Sequence, residues 1–112
     1  MFKEINPHLV QEMVEEGTVH VVDIRDPGSY SSGHIPNAVS LNDQNVKEYI
    51  EKTDKETPLV VCCYHGISSR GAAEYLSQQG FKEVYSMTGG FEAWPDLSSF
   101  RILYEIRFAL GG

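Results

Sequence analysis

Cys63 is followed by Tyr64-His65-Gly66-Ile67-Ser68-Ser69-Arg70, and this run holds the residues of the chain best suited to chemistry. A cysteine that ends an apolar strand and enters a short polar loop stands where ligands bind in open parallel sheets. Gly66 permits a sharp turn. The backbone N–H groups of such a turn point inward and form a nest for an anion. A helix starting near Ser68 or Ser69, capped by one of these serines, adds partial positive charge. A thiol held there is expected to ionise more readily than an ordinary one. His65 in the loop and Arg70 in the first helical turn can lend charge to an arriving anion. The arrangement suits a thiolate nucleophile attacking an anionic substrate. From spacing alone, an inert core thiol is an equal reading for Cys63. Cys62 points to the opposite side of the strand and reads as a small hydrophobe.

The elements that position this loop can be read from pattern. Leu59 to Cys62 is a short apolar run, as a strand covered on both faces requires. Ala72, Ala73, Tyr75 and Leu76 recur at helical spacing, and Gly80 marks the end of that helix. Upstream, Phe2 to Ile5 reads as a first strand. Asn6-Pro7 reads as a cap and first residue of a helix that carries Leu9, Val10, Met13 and Val14 inward and ends at Gly17. Val19 to Ile24 is a second strand, running into Arg25-Asp26-Pro27-Gly28. There Asp23, Arg25 and Asp26 can form a charged cluster, for which a salt bridge that pins the loop is the expected role and a substrate contact from Arg25 the alternative. Gly33 and Pro36-Asn37 mark turns, with His34 as a hydrogen-bonded structural side chain. Val39 to Leu41 is a short strand, and Asn42 is expected to cap a helix with Val46, Tyr49 and Ile50 inside. Val84 to Met87 is the last core strand. Gly89-Gly90 turns the chain, and Phe91 and Trp94 lie one helical turn apart. Strands alternating with helices predict an α/β fold with parallel crossovers.

Composition narrows the function classes. The chain has 112 residues, enough for a single domain. Its formal net charge of −7 argues against a nucleic-acid partner, which calls for basic surface. An anionic substrate would have to be held by local groups against that field. No apolar run is long enough to span a membrane. The N-terminus lacks the basic-then-apolar pattern of a signal peptide, so a cytoplasmic location is expected. Two adjacent cysteines make no disulfide framework and no CxxC site for zinc or thiol exchange, which fits a reducing compartment.

Three stretches, in order, resemble the rhodanese family of sulfurtransferases. They are Val21-Val22-Asp23-Ile24-Arg25-Asp26-Pro27 with Tyr30 and Gly33-His34-Ile35-Pro36-Asn37-Ala38; then Cys63-Tyr64-His65-Gly66-Ile67-Ser68-Ser69; then Gly89-Gly90-Phe91-Glu92-Ala93-Trp94. Within the family the loop is most similar to that of single-domain bacterial thiosulfate sulfurtransferases. The resemblance implies a rhodanese-like parallel sheet flanked by helices on both faces, over residues 1–96. It implies that Cys63 takes the outer sulfur of thiosulfate as a persulfide and passes it to cyanide, a dithiol or thioredoxin. Tyr64, His65, Gly66, Ile67, Ser68, Ser69 and Arg70 would then bind substrate and persulfide. It implies no metal and no organic cofactor. Many family members carry arginine five positions after the cysteine; here that residue is Ser68, and Arg70 stands in only partly.

Other readings stay in view. Cysteine phosphatases and arsenate reductases place arginine six positions after the cysteine, to clamp a tetrahedral oxyanion; this chain has Ser69 there. A non-catalytic interaction module usually lacks the cysteine. A persulfide carrier with a dedicated partner would keep it. Residues 97–112 form a tail outside the resemblance, in which Phe100, Ile102, Tyr104, Ile106, Phe108 and Leu110 alternate as in a strand. Such a strand could extend the sheet or pair two chains, and the expected state is a monomer or a weak homodimer.

Overall fold

The chain's strongest apolar run, Leu59–Cys62, becomes the central strand of the sheet because every one of its residues can be buried. The computed structural model describes residues 1–95. In chain order the elements are β1 (Lys3–Ile5), α1 (Pro7–Glu16), β2 (His20–Asp23), α2 (Pro27–Ser32), β3 (Val39–Ser40), α3 (Val46–Lys52), β4 (Leu59–Cys62), α4 (Ser68–Ser77) and β5 (Val84–Met87). A 3₁₀ turn covers Phe91–Ala93. The strands form one sheet in the order β1-β5-β4-β2-β3, and every pair is parallel. The α/β class and parallel crossovers read from the pattern are those observed.

Alternation along the strands divides the core in two. Val21, Val60, Cys62 and Met87 face α1, α2 and the 3₁₀ turn, packing with Val10, Tyr30, Phe91 and Trp94. Val22, Leu59, Val61 and Val84 face α3 and α4, packing with Val46, Ile50, Ala73 and Leu76. Helices therefore cover both faces, as a sheet of continuous apolar strands requires.

Local chemistry starts and stops most elements. Asn6 caps α1, its side chain accepting from His8 N at 2.7 Å, with Pro7 as first helical residue. Gly17 closes the helix in the left-handed region, φ 71°. His34 is structural: its ring stacks on Tyr30 at 3.8 Å and hydrogen-bonds the Tyr30 carbonyl. Several details differ from the sequence reading. Leu9 lies outside the inward stripe of α1 and is 48% exposed. Helix α4 closes at Gln78, two residues before Gly80. Pro27–Ser32 is a helix with Asp26 as its cap, where the sequence pattern predicts a loop. Asn42 closes the turn ahead of α3, accepting from Gln44 N and Asn45 N, while Asn45 occupies the cap position. Neither Ser68 nor Ser69 caps α4: Ile67 holds that position without a side-chain cap bond, because Ser69 is already inside the helix and turns its hydroxyl toward the core. The expected tail over 97–112 lies outside the described residues.

Candidate active site

Strand β4 delivers Cys63 to the carboxyl edge of the sheet, where the side chain is only 2% exposed. The following loop folds back over it. Gly66 sits at φ 86°, and a Cβ there would come within 2.7 Å of Gly89 N. This is a position only glycine can fill. The segment after β5 supports the loop from behind. Phe91 N donates to Cys63 O at 2.7 Å and Glu92 N to Tyr64 O at 3.2 Å. Gly90, at φ 62°, lets the two backbones touch; a Cβ there would meet the Tyr64 carbonyl at 2.4 Å.

The sulfur sits at the focus of this loop. Gly66 N donates to Cys63 Sγ at 3.1 Å and Ser69 N at 3.3 Å. Ser69 Oγ lies 3.2 Å from the sulfur. Ser69 is in the first turn of α4, so its N–H has no acceptor within the helix. Cys63 Sγ supplies that acceptor and gains the favourable end of the helix dipole. Burial alone would push the thiol up. It is outweighed by the Ser69 hydroxyl and by the N–H groups of Ser69, Gly66 and His65, which hold the thiol below its ordinary value. Cys62 has the opposite fate. Burial, with Asp23 nearby, pushes its thiol up to about 12. Two adjacent thiols are thus pushed in opposite directions, Cys62 up by burial and Cys63 down by the donors around it.

The loop turns the amides of His65, Gly66 and Ser69 toward the sulfur and most of its side chains outward. Tyr64 is partly exposed, and its hydroxyl donates to the Asp26 carboxylate. With the Ser29 hydroxyl first and Tyr64 second, these bonds hold the Asp26 carboxyl down to about 2. His65 pairs its Nδ1 with the Glu92 carboxylate on the exposed surface. Ile67 is 68% exposed, and Ser68 opens α4. Arg70 places its Nε 3.3 Å from Glu4 Oε1 on β1. Arg25 is buried against Asp23, donates to the Gly33 carbonyl at 2.7 Å and lies 4.1 Å from the Phe91 ring. Arg25 and Asp23 form the salt bridge expected in the loop after β2, while Asp26 stands apart from it as the cap of α2; Arg25 also joins β2 to α2 and to the 3₁₀ turn. A groove of about 660 Å³ runs beside the loop, lined by Arg25, Asp26, Tyr64, His65, Phe91 and Glu92 among others. Among the described residues, no group of His, Cys, Asp and Glu converges as a metal site.

Sequence reasoning missed three contributors. Ser86 on β5 sits 2.6 Å from Ser69 Oγ. The Asp26–Tyr64 bond and the Glu92–His65 pair tie the loop to its neighbours. Only the polar Ser86 in an otherwise apolar strand offered a signal; the pairings bring together residues 38 and 27 positions apart.

The Rhodanese-like domain model matches residues 6–96. The chain is 47% identical over 98 residues to a thiosulfate sulfurtransferase GlpE of Shewanella oneidensis, covering 88% of this chain and 97% of that protein. It is 50% identical over 93 residues to a thiosulfate sulfurtransferase GlpE of Vibrio cholerae, covering 83% and 88%. Among solved structures, a rhodanese-like domain protein from Staphylococcus aureus superposes with a TM-score of 0.73 at 26% identity, covering 85% of this chain and 93% of that one. A rhodanese-related protein from Thermoplasma volcanium gives 0.70 at 28% identity, covering 83% and 90%. With its cysteine loop closed over a sulfur by helix and loop amides, and with a family match across nearly all of the described residues, this chain belongs to the rhodanese-like domain family.

Proposed function

We propose that this chain is a thiosulfate sulfurtransferase that carries sulfur on Cys63. The observation that carries the reading is the convergence of Gly66 N–H, Ser69 N–H and the Ser69 hydroxyl on Cys63 Sγ. The relatives of nearly equal length are named for the same activity. The Cys63 thiolate attacks the outer sulfur of thiosulfate. A sulfur–sulfur bond forms to Sγ, and the bond to the sulfonate sulfur breaks with its electron pair leaving as sulfite. The product is a Cys63 persulfide anion. Cyanide, or a thiolate of a dithiol or thioredoxin-type acceptor, then removes the terminal sulfur and regenerates the Cys63 thiolate.

Charge stays negative at the site throughout, so donors fixed in advance are what the reaction needs. Loop amides from Tyr64 to Ser69 hold the persulfide. Arg70 adds positive charge from the first turn of α4, attenuated by its pairing with Glu4. A cytoplasmic location belongs to the same proposal, because a thiolate carrier works in a reducing compartment. No helix among the described residues is long and apolar enough to cross a membrane.

Intact mass after incubation with thiosulfate and desalting tests the proposal. Native protein should gain one sulfur atom, lose it to cyanide, and show no gain as Cys63→Ser. A native protein that is folded and reduced yet gains no sulfur would sink the reading.

A further inference from the structure

The sulfur is the first member of a buried chain of three polar atoms. Cys63 Sγ lies 3.2 Å from Ser69 Oγ, which lies 2.6 Å from Ser86 Oγ. Ser69 is fully buried and Ser86 is 1% exposed. Among the described residues, Ser69 Oγ is the only hydrogen-bond partner of the Ser86 hydroxyl. Ser86 stands in β5 between Tyr85 and Met87, at a position where apolar side chains would pack as well. A buried hydroxyl there calls for a reason.

Counting protons supplies one. Each hydroxyl has a single proton to give. If the sulfur is a neutral thiol, its proton goes to Ser69 Oγ and the Ser69 proton goes to Ser86 Oγ. The Ser86 proton then has no acceptor among the described residues, and two amide N–H groups still point at a sulfur that is itself a donor. If the sulfur is anionic, Ser86 donates to Ser69 and Ser69 donates to Sγ. Every donor in the chain is then used. With a thiol proton directed at Ser69 Oγ one donor is left over, whereas the anionic sulfur uses every donor of the chain.

We propose that Ser86 is a positioning residue for sulfur transfer: it occupies the acceptor side of Ser69 Oγ, so the Ser69 proton is turned onto Cys63 Sγ and the anionic sulfur is favoured. The inference rests on Cys63 being the reacting sulfur. The charged groups on the surrounding elements are engaged with one another. Arg25 is paired with Asp23 after β2, Arg70 on α4 with Glu4 on β1, and His65 in the loop with Glu92 in the 3₁₀ turn. Removing the Ser86 hydroxyl leaves all of these in place.

The test is the pH dependence of Cys63 alkylation by iodoacetamide, with the adduct located by peptide mapping. It is run on the native chain, Ser86→Ala, Ser69→Ala and the double variant. Ser86→Ala should move the half-maximal pH upward by about half a unit to one unit, a three- to tenfold loss of thiolate below that pH. In the Ser69→Ala background the same change should shift nothing, because the relay is already cut. Ser86→Cys, close in volume and a poorer donor, should fall between. Sulfur transfer by Ser86→Ala should recover as pH is raised, which a packing defect would not allow. An unmoved profile in Ser86→Ala, or equal shifts in both backgrounds, overturns the proposal. Alkylation does not require thiosulfate, so this result stands apart from whether the persulfide forms.

Discussion

A single backbone step separates two thiols with opposite behaviour. Cys62 lies in the core facing α1 and α2, where burial pushes it up to about 12. Cys63 lies one position on, where the strand has ended and donors from the loop and helix surround it. Iodoacetamide at neutral pH should therefore give one adduct per chain, at Cys63, and its pH–rate profile should have its midpoint below the ordinary thiol value of 9.0. A second adduct at comparable rate, or a profile centred above that value, would contradict the assignment. The same shift enters folding stability. A group whose folded value is lowered stabilises the fold fully above its unfolded value and loses that contribution as pH falls through the folded one. The contribution of Cys63 is thus largest in alkaline solution and fades toward acid.

At the scale of elements, the loop is a product of glycines on two segments. Gly66 bends the cysteine loop, and Gly90 lets the segment after β5 lie against it. Gly90→Ala adds a Cβ 2.4 Å from the Tyr64 carbonyl at a positive φ. It should cost about 2 kcal/mol or more in urea unfolding and depress sulfur transfer with it. Gly71→Ala is the contrast: it lies in α4 with nothing within 4 Å of the added Cβ. It should instead stabilise by about 0.5–1 kcal/mol and leave transfer intact. Equal stability of the Gly90→Ala and native chains would show that the two segments are not locked together. These elements were unevenly legible in the sequence. Strands β2, β4 and β5 and helices α1 and α4 announce themselves by apolar runs and helical spacing. Helix α2 was missed because Pro-Gly-Ser-Tyr-Ser-Ser carries no apolar stripe. Its signal was Asp26-Pro27, a cap and first residue that also begins a turn. Gly89-Gly90 was legible as a turn but not as a support for the loop, since the contact spans strands that only the sheet order places side by side. The candidate nucleophile and its glycine turn could be read locally. Ser86 could not, because its meaning depends on α4 packing on β5.

The whole molecule sets the field in which an anion must arrive. The net charge is −7, and Asp26 and Glu92 line the groove beside Tyr64 and His65. The cations near the site are held in pairs, Arg25 by buried Asp23 and Arg70 by Glu4. On the proposed function, the attraction for thiosulfate is mainly short-range, from amide N–H groups at the mouth of α4. Long-range repulsion and short-range attraction respond differently to salt. Raising ionic strength from 0.01 to 0.1 M shortens the screening length from about 30 to about 10 Å. This removes the distant repulsion and leaves the loop contacts in place. The second-order rate constant for persulfide formation from thiosulfate should rise with added potassium chloride by about two- to threefold over that range. Alkylation by uncharged iodoacetamide, measured in the same buffers, should stay flat. A fall with salt would mean that a free cation guides the substrate in, and Arg70 exchanging Glu4 for thiosulfate would be the first candidate. Arg70→Ala separates the two cases: it should abolish a falling salt dependence and leave a rising one in place.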